Sequence, residues 1–321
     1  MFLVCGEALF DFFSQPEGGN HSNRVDFQAV AGGSPFNVAV GLSRLGIDSA
    51  LFAGLSSDYL GHRLRTVLKD EGVRPDYLVD FEAPTTLAMV AVGDDGSPQY
   101  SFRGEGCADR QLRLEHLPVL DEQVRGLHIG SFSLVVRPIA DTLLALVRRE
   151  SSQRLISLDP NIRLNPEPDI QRWREQISAF AEHAHLIKVS DEDLSLLYPD
   201  LDPQTVAEGW LNQRCQLVFL TRGAQGVSVF TRQHGTWSVP AREVITADTV
   251  GAGDTFQAAL ITYLTEHQLD SPSGLEALSR EHITEMMQFA VAAAALTCTK
   301  VGPDLPYRDE LVGVDMPENR G

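Results

Sequence analysis

A chain of 321 residues with 43% apolar and 22% charged residues is long enough to bury a sizeable core and has the make-up of a folded globular protein. Its 26 basic against 44 acidic residues leave a formal charge of −18, which excludes a surface built for nucleic acid or anionic lipid and repels a free nucleotide as well. Any phosphate site must therefore be made locally, from backbone N–H groups, a few Arg or Lys, and Mg²⁺.

The first segment, Phe2-Leu3-Val4-Cys5, is a short apolar run stopped by Gly6 and reads as a buried strand. Nothing before it has the basic character of a leader, and no later apolar run is long enough to span a bilayer, so a cytoplasmic location is expected. Residues 12–31 are irregular and polar. From Asn37 to Leu45, Val38, Leu42 and Leu45 fall at helical spacing and Gly46 follows as a stop. Ala50 to Ala53 reads as a strand and Tyr59 to Lys69 as a helix.

Then the pattern changes. Leu87 to Gly93 and Gln99 to Arg103 are β-like and are joined by the turn-rich Asp94-Asp95-Gly96-Ser97-Pro98, a hairpin inserted in a β–α series. With residues 12–31 it suggests a small β accessory over one edge of the main domain. Alternation resumes with a strand at Gly126–Ile129 and a helix opened by Arg137-Pro138, with Ile139, Leu143, Leu146 and Val147 on one face. Strands follow at Leu155–Leu158, ending in Asp159-Pro160, at His185–Val189, and at Leu217–Leu220, and the acidic Asp191-Glu192-Asp193 starts a further helix.

Such alternation implies an α/β fold with a doubly wound, mainly parallel sheet and helices on both faces. Ligands bind beyond the carboxyl ends of the strands in this class. There the reading places Asp11, Asp58, Asp159, Asn161, Arg163, Lys188, Ser190, Thr221 and Arg222. No repeat or long linker divides the chain; only the polar end from Met316 to Gly321 has the composition of a disordered tail. The four cysteines, Cys5, Cys107, Cys215 and Cys298, form no C-x-x-C pair and are expected to be reduced and buried, and the histidines show no metal-ligand spacing.

One segment carries chemistry. In Asp248-Thr249-Val250-Gly251-Ala252-Gly253-Asp254 three residues with almost no side chain precede a helix whose Phe256, Leu260, Ile261 and Leu264 share a face. Free N–H groups and the dipole at a helix N-terminus favour an anion, and the small residues let it come close. Asp254 then stands in the first turn beside that anion, placed to take a proton from an attacking hydroxyl. A glycine-rich turn can also simply start a helix, with Asp as an ordinary first-turn residue. There is no G-x-x-x-x-G-K-[ST] and no G-x-G-x-x-G, which excludes a P-loop enzyme and weakens a dinucleotide-binding reading.

Gly32-Gly33-Ser34-Pro35-Phe36-Asn37-Val38-Ala39 with Leu42, Leu45 and Gly46 resembles the N-terminal signature of the PfkB family of ribokinase-like sugar kinases. Asp248 to Asp254 resembles its C-terminal signature. The resemblance runs nearly end to end, and Asp159-Pro160-Asn161-Ile162-Arg163 and Tyr100-Ser101-Phe102-Arg103 leading to Ala108-Asp109 resemble the fructokinases within the family. It implies one ribokinase-like domain over residues 1–315, with a β-sheet lid formed by about 12–31 and 84–107 that also supports a homodimer. It implies transfer of the γ-phosphoryl of ATP to a sugar hydroxyl, with Asp254 as catalytic base and Gly251, Ala252 and Gly253 as the anion hole. Asp11, Gly32, Gly33 and Asn37 match sugar-contacting positions, and Arg103 and Arg163 could reach the sugar or the transferred phosphate, or equally form surface ion pairs. Lys188, Ser190, Thr221, Gly223 and Gly226 match the nucleotide segment, although Thr221 to Gly226 can also be read as a plain hairpin turn.

Two departures stand out. Where the ribokinase branch has Asn-x-x-Glu this chain has Ser190-Asp191-Glu192-Asp193, so Mg²⁺ would be held mainly by phosphate oxygens and water, with Asp193 touching it through water. Asp248 fits a K⁺ site that Gly302 could complete with its carbonyl, but the hydroxyl residue expected a few positions later is replaced by Pro306. The implied activity is an alcohol-acceptor phosphotransferase making fructose 6-phosphate from D-fructose. The alternatives are 2-keto-3-deoxygluconate, another ketose or a nucleoside as substrate, or a non-catalytic sugar-binding or sensory protein on the same fold.

Overall fold

The computed structural model describes residues 1–14, 25–92, 98–212 and 214–311. The elements in chain order are β1 (Phe2–Cys5), β2 (Leu9–Ser14), β3 (Phe27–Gly32), α1 (Ser34–Arg44), β4 (Ser49–Ser56), α2 (Tyr59–Asp70), β5 (Leu78–Phe81), β6 (Leu87–Val92), β7 (Pro98–Arg103) and β8 (Gly126–Gly130). After these come α3 (Ile139–Glu150), β9 (Leu155–Asp159), α4 (Ile170–Ala181), β10 (Leu186–Ser190), α5 (Asp191–Leu197), α6 (Pro203–Trp210), β11 (Leu217–Thr221), β12 (Val227–Thr231) and β13 (Gly235–Val239). The chain closes with α7 (Ala252–Glu266), α8 (Pro272–Glu276) and α9 (Arg280–Cys298).

Nine strands form the main sheet in the order β13-β12-β11-β10-β9-β8-β1-β4-β5. The run from β5 to β11 is parallel, and β12 and β13 add antiparallel at one edge. The central strands are buried from end to end, as parallel strands covered on both faces must be. Alternate residues of β1 divide between two cores: Phe2 and Val4 pack with α1, α7 and α9, while Leu3 and Cys5 pack with α3 and α4. From β1 the chain proceeds outward through β4 in one direction and, later, through β8 to β11 in the other. The strand order therefore reverses between β1 and β8, where this fold class opens a crevice at the carboxyl ends of its strands.

The second sheet has four strands, in the order β3-β2-β6-β7. Residues 12–31, read from sequence as irregular, contribute β2 and β3, which pair antiparallel from Leu9↔Gly32 to Ser14↔Phe27. Their alternation was hidden because Phe12 and Phe13 are adjacent aromatics and because Asp11 is a polar residue on a half-buried strand. The turn expected at 94–97 and the tail at 316–321 lie outside the described residues. Strands β5 and β13 and helices α4, α6, α8 and α9 were not read from sequence, although Asp169 caps α4 and a Ser279–His282 capping box opens α9. Cys5, Cys107 and Cys215 are buried as expected, whereas Cys298, in the last turn of α9, is only partly so.

α1 and α7 pack face to face, and small residues set how closely. A Cβ built at Gly41 would lie 3.0 Å from Ala258 Cβ and 2.5 Å from Leu305 Cδ2. Gly41→Leu should push α1 off α7, lowering stability by about 1–3 kcal/mol through overpacking. Chemical denaturation checks this, and an unchanged midpoint would refute the close-packing argument.

Candidate active site

Both signature segments meet at Asp254. Ser34 donates to its Oδ1 at 2.6 Å, and the Asn37 amide donates to its Oδ2 at 2.8 Å. Ser34 opens α1 and Asn37 stands one turn on, so both point from the same helix end. Burial pushes the Asp254 carboxyl above its ordinary value, while Ser34, Asn37 and the charges of Lys188 and Arg163 work against that rise. The two hydrogen bonds and the two cations thus favour the ionised form of a buried carboxylate. Ser34 was absent from the sequence-derived site. Its signal lay inside the N-terminal motif, but a serine before a proline is read first as a helix start.

Gly251 carries φ 81°, a left-handed backbone that glycine adopts without strain, and it caps α7 with no side-chain hydrogen bond. Ala252 donates its N–H to the Thr249 carbonyl at 3.2 Å, which leaves the next N–H groups of α7, at Gly253 and Asp254, to an incoming anion. Gly253 faces Lys188: a Cβ there would be 2.9 Å from Lys188 Nζ. Burial opposes the charge on Lys188, but Asp159, Asp193 and Asp254 outweigh it and hold its pKa above the ordinary lysine value. Its Nζ pairs with Asp159 Oδ2 at 2.8 Å, and Asp159 Oδ1 is buried with no partner among the described residues. An ammonium ion beside a helix N-terminus without a side-chain cap favours an anion between them.

Across the crevice, Asp11 projects from β2. Burial pushes its carboxyl up to about 6; Arg163 lowers it and Asp254 raises it, so all three groups lie within electrostatic reach. Gly32 and Gly33 leave room rather than merely turning the chain. A Cβ on Gly32 would lie 2.5 Å from Asp11 Oδ2, and one on Gly33, at φ 104°, would lie 3.0 Å from the Glu7 carbonyl oxygen. Arg163 follows Asn161, whose φ of 39° bends the chain, and Asp193 Oδ1 accepts the Ile162 N–H at 2.8 Å to hold that bend. Arg103 is placed differently. It pairs with Leu87 in the row of Phe10, whereas Asp11 shares its row with Ala88 and Phe102, so the register puts Arg103 on the opposite face of the small sheet.

On the nucleotide side, Ser190 and Thr221 are register partners at the ends of β10 and β11. The Ser190 hydroxyl caps α5 by accepting the Asp193 N–H at 3.0 Å. The segment from Thr221 to Gly226 forms the tight hairpin between β11 and β12, with Arg222 N donating to Gly226 O at 2.8 Å. Gly223 (φ 47°) and Gly226 (φ 88°) serve that turn, and at Gly226 any Cβ would strike the Val239 carbonyl. The turn reading and the position beside Ser190 hold together.

Among the described residues no three His, Cys, Asp or Glu side chains converge into a metal cage. The carboxylates that could face a phosphate-bound Mg²⁺ ion are Asp193, whose Oδ1 accepts the Ile162 N–H, and Asp159. Asp248 is engaged by backbone donors. Its Oδ1 accepts the Thr249 and Val250 N–H groups at 2.7 and 3.1 Å, its Oδ2 accepts the Gly302 N–H at 2.9 Å, and the Gly302 carbonyl accepts from Asp304 at 2.8 Å. Asp248 and Gly302 meet, but as a clasp between two loops.

The sequence profile of the pfkB family carbohydrate kinases matches residues 1–310. The chain belongs to the PfkB family of carbohydrate kinases. It is 38% identical over 264 residues to a fructokinase of Rhizobium leguminosarum bv. trifolii, covering 82% of this chain and 79% of that one. The fructokinase of Xylella fastidiosa solved with bound ATP superposes with a TM-score of 0.87 at 30% identity, covering 98% and 97% of the two chains. A fructokinase double mutant from Vibrio cholerae, solved with fructose, ADP and potassium, gives 0.82 at 25% identity over 98% of each chain. Membership makes this chain a phosphotransferase acting on a sugar hydroxyl, and among its described residues no helix is long and apolar enough to cross a membrane.

Ser34 and Asn37 favour the ionised form of Asp254, so losing either should raise its pKa further. A base works only when ionised. Ser34→Ala or Asn37→Ala should therefore move the acid limb of the pH–kcat profile to higher pH, and a limb that stays put would separate these donors from the base.

Proposed function

We propose that this PfkB kinase transfers the γ-phosphoryl group of ATP to the primary hydroxyl of a ketohexose, D-fructose, giving fructose 6-phosphate. The observation that carries the reading is the Asp254 carboxylate, fixed by Ser34 and Asn37 and standing one residue beyond the Gly253 turn that faces Lys188. The likeness to fructokinases in sequence and in solved structures supports the choice of sugar and of ATP.

In this mechanism the sugar lies between the small sheet and the body. Asp11 accepts its hydroxyls, and Gly32 and Gly33 let it approach the backbone. Arg163, charged and adjacent to both Asp11 and Asp254, orients the sugar or meets the transferred phosphate. Asp254 takes the proton from the attacking primary hydroxyl as the bond to phosphorus forms. The N–H groups from Gly251 to Gly253, with Lys188, stabilise the charge that grows on the phosphoryl oxygens. The nucleotide runs toward Ser190 and the turn at Thr221, Gly223 and Gly226. Asp193 and Asp159 would be the carboxylates beside a bound Mg²⁺, which would supply neutralisation of phosphate charge. The reading also carries a homodimer through the small sheet, next to which Val25 is 65% exposed and Phe27 is 36% exposed.

Asp254→Asn should keep sugar and ATP binding, measured by calorimetry, while turnover falls by about 10³-fold or more, since the proton acceptor is gone. Near-normal turnover would remove Asp254 from its role. The sugar is tested by ADP release over fructose, other ketoses, 2-keto-3-deoxygluconate and nucleosides. Fructose should give the highest kcat/KM; another sugar ranking above it would overturn the substrate while leaving the kinase intact.

A further inference from the structure

α1 reaches the catalytic loop at both of its ends. Its front end holds Asp254 through Ser34 and Asn37. At its back end, Arg44 in the last turn commits its guanidinium to three neighbours. Nε and one NH₂ form a two-point pair with the Glu71 carboxylate at 2.8 and 2.6 Å. The other NH₂ donates to Asp304 Oδ1 at 2.8 Å and to the Leu305 carbonyl at 2.5 Å. The Tyr307 ring lies 4.5 Å from the guanidinium carbon, and only 13% of the side chain is exposed.

Residues 302–305 form a strap, and the strap backs the catalytic loop at two points. The Gly302 N–H donates to Asp248 Oδ2, and Pro303 lies behind Gly251, where a Cβ would come within 3.0 Å of Pro303 Cα. Leu305 closes the strap onto α1 at Gly41. The contacts run in series: Arg44 fixes the strap, and the strap fixes Asp248 and the left-handed turn at Gly251 that aims the N–H groups of α7. Arg44 belongs to the N-terminal signature helix, yet nothing in the proposed mechanism uses it.

We propose that Arg44 is a positioning residue for phosphoryl transfer, acting through the 302–305 strap on the anion-binding turn. It touches neither the proposed sugar contacts nor the residues on the nucleotide side. Its loss therefore degrades turnover rather than sugar binding, because the turn must hold its geometry only as charge develops on the phosphoryl group. A lysine cannot replace it, since a single ammonium cannot span Glu71, Asp304 and the Leu305 carbonyl as a planar fork does.

The inference rests on the sugar-kinase reading, and wild-type turnover on its best sugar establishes that reading separately, whichever sugar that is. Steady-state kinetics are then compared for wild type, Arg44→Ala and Arg44→Lys at saturating ATP, alongside Tm. Arg44→Ala should lose about tenfold to a hundredfold in kcat, with the sugar KM within about twofold. Added guanidinium ion should restore part of that loss in a saturable way. The vacated place opens on a groove of about 740 Å³ lined by Arg44, Glu71 and Asp304, so a small cation can enter from solvent. Arg44→Lys should stay close to Arg44→Ala. Wild-type kcat in folded Arg44→Ala, a loss confined to sugar KM, or a loss that guanidinium leaves untouched would each overturn the proposal. If Arg44→Ala does not fold, Asp304→Ala decides, since that side chain is half exposed: kcat lowered about threefold or more at unchanged Tm supports the strap, and unchanged kcat refutes it.

Discussion

The carboxylate of Asp254 is buried, and its two oxygens are filled by donors that lie 220 and 217 positions away in the chain. Most of what surrounds it follows from that constraint. A carboxylate taken out of water tends to neutralise, and a neutral Asp254 cannot accept a proton. Keeping it ionised needs hydrogen-bond donors on both oxygens, and here both come from the start of α1. α1 must then lie against the start of α7, which requires Gly41 opposite Ala258 and a turn at Gly33 that passes over the Glu7 backbone. Glu7 is itself buried, with its carboxyl pushed up to about 7 by burial and the Ser133 hydroxyl donating to it. The loop after β1 is thereby tied to the turn that follows β8.

The same economy of charge explains how a protein of net charge −18 can take a nucleotide. Lys188 sits among Asp159, Asp193 and Asp254, and its positive charge is more than matched by theirs. The body side of the crevice is therefore not a general attractor of anions. Lys188 Nζ and the N-terminus of α7, which has no side-chain cap, converge beside Gly253, and the proposed function puts the transferred phosphoryl group there. The surplus of carboxylates suits a nucleotide that arrives with its own divalent cation and disfavours one that arrives without.

The sheet and its helices were legible because buried parallel strands are short apolar runs and their helices keep a one-sided periodicity, as at Leu217–Leu220 and Ile139–Val147. The glycine-rich turn before α7 was legible because three residues without bulk before a helix mean close approach of backbone. Relations between segments were not legible. Arg103 carries the right charge, but its face depends on the parallel register of β2 with β6, which no local pattern encodes. That Ser190 also caps α5 was not legible, because a strand-end hydroxyl reads the same whether it accepts a helix N–H or faces a ligand. That Asp248 clasps the loop at Gly302 was not legible either, because the two stand 54 positions apart in the chain. Arg44 reads as an unremarkable last-turn arginine; only the return of the chain at 302–305 gives it partners.

Asp11 and Asp254 belong to the two bodies that flank the crevice, and each carboxylate is buried enough for the other to matter: Asp254 helps raise the Asp11 carboxyl to about 6. Arg163, which is exposed, lowers both carboxyls and so offsets part of this repulsion. In the proposed function, like charges facing each other would oppose closure of the small sheet over an empty site. A polyhydroxylated ligand changes the balance, because it brings donors to both acids at once and carries no charge of its own. In the proposed function, water is then excluded when a sugar is present and not otherwise, so the Asp254 base meets a sugar hydroxyl in a closed site rather than water in an open one. The pairing of one acid on the small sheet with one on the body thus supplies an electrostatic reason for a sugar kinase to leave ATP intact until its acceptor has arrived.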